Sequence, residues 1–535
     1  MKKFNKIIVY IIILKFFCVG LISCSNENNS PNETNNQPES DKISIEEFYE
    51  LDDFELIEVG NPSSESEVEP EQQILTVEPE QETEPELKET TEEPVQDEIF
   101  ETEEDPIQDD LFEPEEYLII PQSEPALLTT ETLLYDFDYL SRILEENYPF
   151  YGAARRKFGI DLQRQTALAR TAVENLDATG NHSRILREFS DILSGYIVAP
   201  MRNMGHMIGL WSGGQSYKIQ LALMKWDGSF PIQWYPNLYA RYLLGMFTSP
   251  TAIRYYGNPF DSEDIESFIQ SVLFTPVPNN VTFDIIQPDS IAYIHMRDMD
   301  SASIDIDGEL IAAFVETIGN FDHLIIDLRG NRGGSASAFL QNIIAPLIDE
   351  PASLFYYVFF KGGQHNLMFD ELYYRDLQWQ SANGLVLHAD APRFHVGDIL
   401  PSLTHANAAD FADISYGFKR EITVTPSANR WEFKGKIWIL IDGRSISATE
   451  ISAALAKESG FATLVGESTG GMFGGYTAAF IGLPNTGAII RYDYGYVTDL
   501  NGRAIEEFGV APNIYNRPGM DALETVLALI SEGNY

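Results

Sequence analysis

The chain has 535 residues, 44% hydrophobic and 22% charged, with a formal net charge of −47, which leaves room for two or three domains. Most of that charge is local. Residues 25–125 hold 35 acidic residues against Lys42 and Lys88 alone, and the rest is only moderately acidic, so no basic surface for nucleic acid is expected.

In chain order, Lys2, Lys3 and Lys6 precede a short apolar run at Ile7–Phe17, interrupted by Lys15. That is the layout of a targeting segment over 1–24, too short for a comfortable membrane span. Leu21-Ile22-Ser23-Cys24 resembles the lipobox of bacterial lipoproteins. The resemblance implies a lipidated Cys24, an extracytoplasmic, membrane-anchored protein of the cell envelope, and attachment through lipid alone. Cys18 and Cys24 are the two cysteines, so cleavage before Cys24 leaves no disulfide. Residues 25–125 repeat Glu-Pro and Glu-Thr with few aromatics. Such a stretch buries too little apolar area to offset its ordering entropy and reads as an extended acidic tether.

The first folded segment spans 126–212. Leu133, Leu134, Phe137, Leu140, Ile143 and Leu144 recur at helical spacing, and two further helices are expected over 166–176 and 182–192. His206 follows Gly205 at the start of a strand-like run. Residues 213–285 are less legible. Ala252–Asn258 reads as strand and tight turn and Asp264–Ile269 as helix, which fits a reduced PDZ-like insert binding peptide tails by strand addition or a generic connecting subdomain.

Residues 286–535 alternate strand and helix. Ile291–Met296, Leu324–Leu328 and Lys436–Ile441 are short, β-branched apolar runs suited to buried parallel strands. The second is followed by a glycine-rich turn, Arg329–Ser335, and the third by Asp442–Ser447 and a helix. Neither GxxxxGK[ST] nor GxGxxG occurs, which argues against nucleotide binding. Both turns are expected at the carboxyl ends of sheet strands, where α/β proteins build their sites. Ser447 then sits where unpaired helix N-terminal amides point outward. That position suits a plain N-cap or an acyl-transfer nucleophile.

Four motifs carry a family resemblance. Asp327–Gly334 (DLRGNRGG), Ser447–Glu450 (SATE), Val465–Gly471 (VGESTGG) and Glu506–Ile514 (EEFGVAPNI) resemble, in order, signatures of the C-terminal processing (tail-specific) serine peptidases. This S41 family also includes the tricorn protease core. The resemblance implies an α/β fold, a ClpP/crotonase-like β–β–α superhelix behind a helical N-terminal subdomain. It further implies a serine-type endopeptidase acting on peptides or protein tails. Ser447 would be the nucleophile, the amides of Gly333, Gly334 and Ala448 the oxyanion donors, and Glu450 and Thr469 supporting residues. Many members use a Ser–Lys dyad, with lysine about 25 residues after the serine. Here Met472 stands there, and a thioether cannot take the proton. The tricorn-like branch uses an upstream histidine and a glutamate, which maps to His206 as general base and Glu506 as its support. Histidine suits that task near neutral pH. A second reading is an inactive, peptide-holding lipoprotein of the same fold. No cofactor is expected, and no HExxH pattern or histidine pair marks a metal site.

Overall fold

The structure is a computed structural model and describes residues 125–211, 238–257, 275–382 and 393–533. The targeting segment with Cys24, the acidic tether, and much of the connecting region, including Asp264–Ile269, lie outside the described residues.

Four helices open the described chain: α1 (Thr130–Asn147), α2 (Tyr151–Phe158), α3 (Leu162–Glu174) and α4 (His182–Leu193). α1, α3 and α4 match the helical spacing of the sequence, and α2 was not expected from it. A reciprocal capping box between Thr129 and Thr132 starts α1, and the side chains of Asp161 and Asn181 cap α3 and α4. Each cap gives otherwise orphaned amides an acceptor. The short strand β1 (Ile208–Leu210) follows, then α5 (Leu238–Phe247) and α6 (Pro250–Tyr256).

α6 corrects one expectation, since 252–256 is helix rather than strand. The Ser249 hydroxyl caps the Ala252 amide, Pro250 occupies the first turn and Gly257 ends the helix at φ 85°. Those are helix start and stop signals, and they outweigh the β-branched and aromatic residues between them. The strand expected at the start of a PDZ-like insert is therefore helix at 252–256, and Asn258 lies outside the described residues.

The α/β unit that follows holds the main sheet. β2 (Val281–Gln287), β3 (Ile291–Met296), β4 (His323–Asp327), β8 (Lys436–Ile441), β9 (Thr463–Gly466) and β13 (Ile514–Tyr515) run in the order β13-β9-β8-β4-β3-β2. The β3–β4, β4–β8, β8–β9 and β9–β13 pairs are parallel. Successive residues of a strand face opposite sides, and the two cores follow that rule. Leu324, Ile326, Ile439 and Ile441 join the large core. Ile325, Trp438 and Leu440 join a second one with Ala522, Val526 and Leu529 of α12 (Ala522–Glu532). Buried on both faces, β4 and β8 carry continuous apolar runs over residues 324–326 and 437–441, the pattern usual for parallel strands. The crossovers are α7 (Ile304–Thr317), α8 (Ala336–Phe339, continuing irregularly to Leu347) and α10 (Ala448–Glu458). α10 is buried from Ala448 to Ala456.

Two smaller sheets flank this layer. One is antiparallel and rich in aromatics: β12 (Tyr496–Thr498), β5 (Ala352–Lys361), β7 (Ile414–Val424) and β6 (Phe394–His395). The other joins β1 to β11 (Ile489–Asp493) and β10 (Ala478–Gly482). It links the helical region to the α/β unit, and it positions the candidate site. The fold is thus the mixed α/β architecture expected, with a helical N-terminal region ahead of a sheet-rich unit.

Candidate active site

β4 and β8 end side by side, and the turn after each is braced by the other. Asp442 Oδ1 accepts the Gly330 amide at 2.9 Å, and the Ser445 hydroxyl donates to the Leu328 carbonyl at 2.8 Å. Asn331 ties the turns together. Its Oδ1 accepts the Gly333 amide at 2.9 Å and the Thr449 hydroxyl at 2.7 Å, while its Nδ2 donates to the Met296 carbonyl at 2.9 Å. Both ends of this fully buried amide are thus partnered, the oxygen twice and the nitrogen once, as buried polar groups usually are.

Ser447 sits at the N-cap of α10, but its side chain makes no capping bond. Its backbone is at φ 62°, ψ −123°, outside the regions open to ordinary L-residues. Such a conformation costs on the order of 1–3 kcal/mol and persists only where surroundings impose it. Here Gly333 packs beneath the serine. A Cβ on Gly333 would lie 2.7 Å from the Ser447 Cβ and 2.8 Å from the Ala448 nitrogen, so only glycine fits.

The β1–β11 register brings in the partners. Ile208 pairs with Arg491 antiparallel, and continuing the ladder by two residues sets His206 opposite Asp493. The turn ahead of β1 is left-handed at both Gly205 (φ 63°) and His206 (φ 43°), and the Phe150 ring leaves no room for a Cβ at Gly205. Tyr148, at the end of α1, donates to the Met204 carbonyl at 2.5 Å. Arg491 donates to the His206 carbonyl at 3.1 Å. The imidazole so held has Nε2 3.3 Å from the Ser447 Oγ and Nδ1 2.6 Å from Asp493 Oδ2. A carboxylate on Nδ1 favours the tautomer with the proton there, leaving Nε2 as an acceptor. Ser447 and His206 are 0% and 1% exposed.

Asp493 was not singled out from the sequence. Burial pushes its pKa up, but His206 and Arg491 more than offset this, and the net value lies below normal. The Arg491 guanidinium is 3.2 Å from its other oxygen. The sequence signal was thin: an acid ending the buried run Ile489–Asp493, next to a buried arginine, with no motif around it.

Glu506 is buried nearby. Its Oε2 accepts the Met472 amide at 2.9 Å, and a further bond comes from the Gly205 amide. It therefore braces the backbone next to His206, while Asp493 takes the ring nitrogen. Burial, first of several influences, raises the Glu506 pKa. Glu450 Oε1 accepts the Gly471 amide at 2.5 Å, and its Oε2 accepts the Thr469 hydroxyl at the same distance. Burial pushes Glu450 up to about 8.

Of the expected oxyanion donors, Gly333 has its amide committed to Asn331, which leaves those of Ala448 and Gly334. Met472 is buried against Ile446. Its thioether is no base, and the ring nitrogen beside Ser447 Oγ is that of His206. Lys457, in the last turn of α10, donates to the Ala511 carbonyl at 2.8 Å. Among the described residues no cluster of His, Cys, Asp and Glu could hold a metal ion.

Residues 290–516 match Peptidase family S41. No curated protein matches the chain. Among solved structures, it is similar to a protein from Parabacteroides merdae described as a candidate peptidase, at 18% identity, over 74% of this chain and 95% of that one, with a TM-score of 0.39. It is similar to mature CPAF complexed with lactacystin at 15% identity, over 76% and 97%, with a TM-score of 0.41. The photosystem II D1 C-terminal processing protease is a third, at 17% identity, over 48% and 54%, with a TM-score of 0.28. At such identities and TM-scores the assignment rests on the residue match over 290–516, and that match supports a peptidase.

Proposed function

We propose that this chain, which carries an S41 peptidase segment at 290–516, is a serine endopeptidase that cuts peptides or protein tails with a Ser447–His206–Asp493 triad. The supporting observation is the pair of contacts on one imidazole: 3.3 Å to the serine oxygen and 2.6 Å to a buried carboxylate. In this reading His206 Nε2 takes the Ser447 proton as Oγ attacks the scissile carbonyl carbon. The Ala448 and Gly334 amides receive the charge that develops on the carbonyl oxygen. The imidazolium, stabilised by Asp493, then gives its proton to the leaving amine. Water, deprotonated by the same nitrogen, hydrolyses the acyl-enzyme and restores the serine. Glu506 holds the Gly205–His206 turn in place.

The peptide-holding alternative expects a serine without a proton acceptor, and His206 fills that position. The pattern of an upstream histidine with Met472 at the lysine position fits the tricorn-like branch. The lipobox-like Leu21–Cys24 and the acidic stretch that follows support a lipid-anchored envelope protein. The test is a fluorophosphonate probe on the folded protein. Labelling that Ser447→Ala abolishes is expected, and a folded wild type that never labels would overturn the reading.

A further inference from the structure

Among the described residues, Lys157 is a half-buried cation that the proposed mechanism does not use. Lys157 is the penultimate residue of α2 and far from Ser447 in sequence. Its Nζ donates to the Gly470 carbonyl at 2.5 Å and to the Glu506 carbonyl at 2.8 Å. A Cβ on Gly471 would lie 2.9 Å from that nitrogen. The ammonium therefore sits against the Gly470–Met472 turn, beside the position where a Ser–Lys dyad would carry its lysine.

That turn is bonded to the Ser447 backbone and to two buried carboxyls. The Gly471 carbonyl accepts the Ser447 amide at 3.4 Å. The Gly471 amide donates to Glu450 and the Met472 amide to Glu506. Met472 is itself left-handed at φ 61°, so the turn does not hold this shape on local preference alone. Two buried carboxyls face it, and Glu507 adds to the acidic surroundings of Lys157. Next to Lys157, Arg156 pairs with both Asp410 and Glu507, which fixes the end of α2 against α11 (Ile505–Phe508).

We propose that Lys157 is a positioning residue for the Ser447 site, clamping the Gly470–Met472 turn from the helical region and placing a counter-charge beside the Glu450 and Glu506 carboxyls. It touches no reacting atom. Loss of its charge would let the turn relax, shift the Ser447 backbone and change the protonation of the buried acids. Burial holds its own pKa below the usual lysine range, consistent with a group enclosed by the fold. The proposal rests on the nucleophile reading above.

The experiment compares wild type, Lys157→Met and Lys157→Arg by rate of fluorophosphonate labelling across pH, with thermal unfolding of each. Lys157→Met is expected to label on the order of 100-fold more slowly, as a small displacement of reacting groups can cause, and with a shifted pH midpoint. Lys157→Arg, which restores the charge, is expected to recover most of the rate and the midpoint. A wild-type rate and pH profile in Lys157→Met would overturn the proposal. So would a loss that tracks lowered thermal stability and that arginine does not restore. An inert wild type would overturn the nucleophile reading and this proposal together, which distinguishes the two failures.

Discussion

At the scale of single residues, the sharpest expectation concerns the buried acid on the imidazole. Asp493→Asn keeps the shape but removes the charge and lets the wrong ring nitrogen carry the proton. A fall in kcat of roughly 10⁴ is expected by analogy with other triads, measured on a peptide substrate or as labelling rate. Glu506→Gln acts on backbone rather than on the ring, so a smaller loss is expected. Because the Asp493 carboxyl is held below its normal pKa, its contribution to stability is present above the unfolded-state value. It is lost only as pH falls through the lower, folded-state one. Glu450 has the opposite sign. Its pKa rises from 4.5 to about 8 in the folded state, so the fold favours the protonated acid. That contribution is complete below 4.5 and is lost as pH rises through 8. Urea unfolding is expected to show stability falling between pH 5 and pH 8, and Glu450→Gln should flatten the slope. Ser447 and His206 were legible because motif and glycine context marked them. Asp493 and Lys157 were not, because each reaches the site through tertiary structure. One arrives through a strand register, the other at the end of a helix whose spacing reports only its buried face.

Among elements, the paired turns after β4 and β8 carry the geometry. Gly333→Ala would drive a methyl group into Ser447 at a φ of 94°. The expected result is a folded protein with labelling lost and lowered thermal stability. Asn331→Ala would strand the buried Gly333 amide, at about 1–3 kcal/mol for an unsatisfied group, while the Thr449 hydroxyl keeps the backbone carbonyl of residue 331 at 3.2 Å. A drop in urea midpoint without a change in slope would show it. The first of these turns could be read from sequence because consecutive glycines between an apolar strand and a helix have few other uses. α6 could not. Its apolar and aromatic residues suggested a strand, and the Ser249-Pro250 start with Gly257 at the end was the signal that local pattern reading passed over. The Gly333 amide was likewise expected at the oxyanion, and the Asn331 side chain, two residues away, takes it instead.

For the molecule as a whole, the candidate site is shared. The serine, the acid and the oxyanion amides come from the α/β unit and its flanking sheet, and the histidine and Lys157 from the helical region. A chain beginning at residue 286 would lack His206 and β1, so no fluorophosphonate labelling is expected from it. Removing residues 1–124 should leave labelling rate and thermal midpoint unchanged, since among the described residues the core already includes Leu128 and the Ala126 carbonyl accepts from Arg254. The complete burial of Ser447 and His206 sets a condition on turnover. An enclosed hydroxyl meets no polypeptide until the protein around it parts, so admission precedes chemistry. Labelling by a slim probe should then outpace labelling by a bulky one of equal reactivity, and both rates should level off at high reagent concentration, where opening alone limits them.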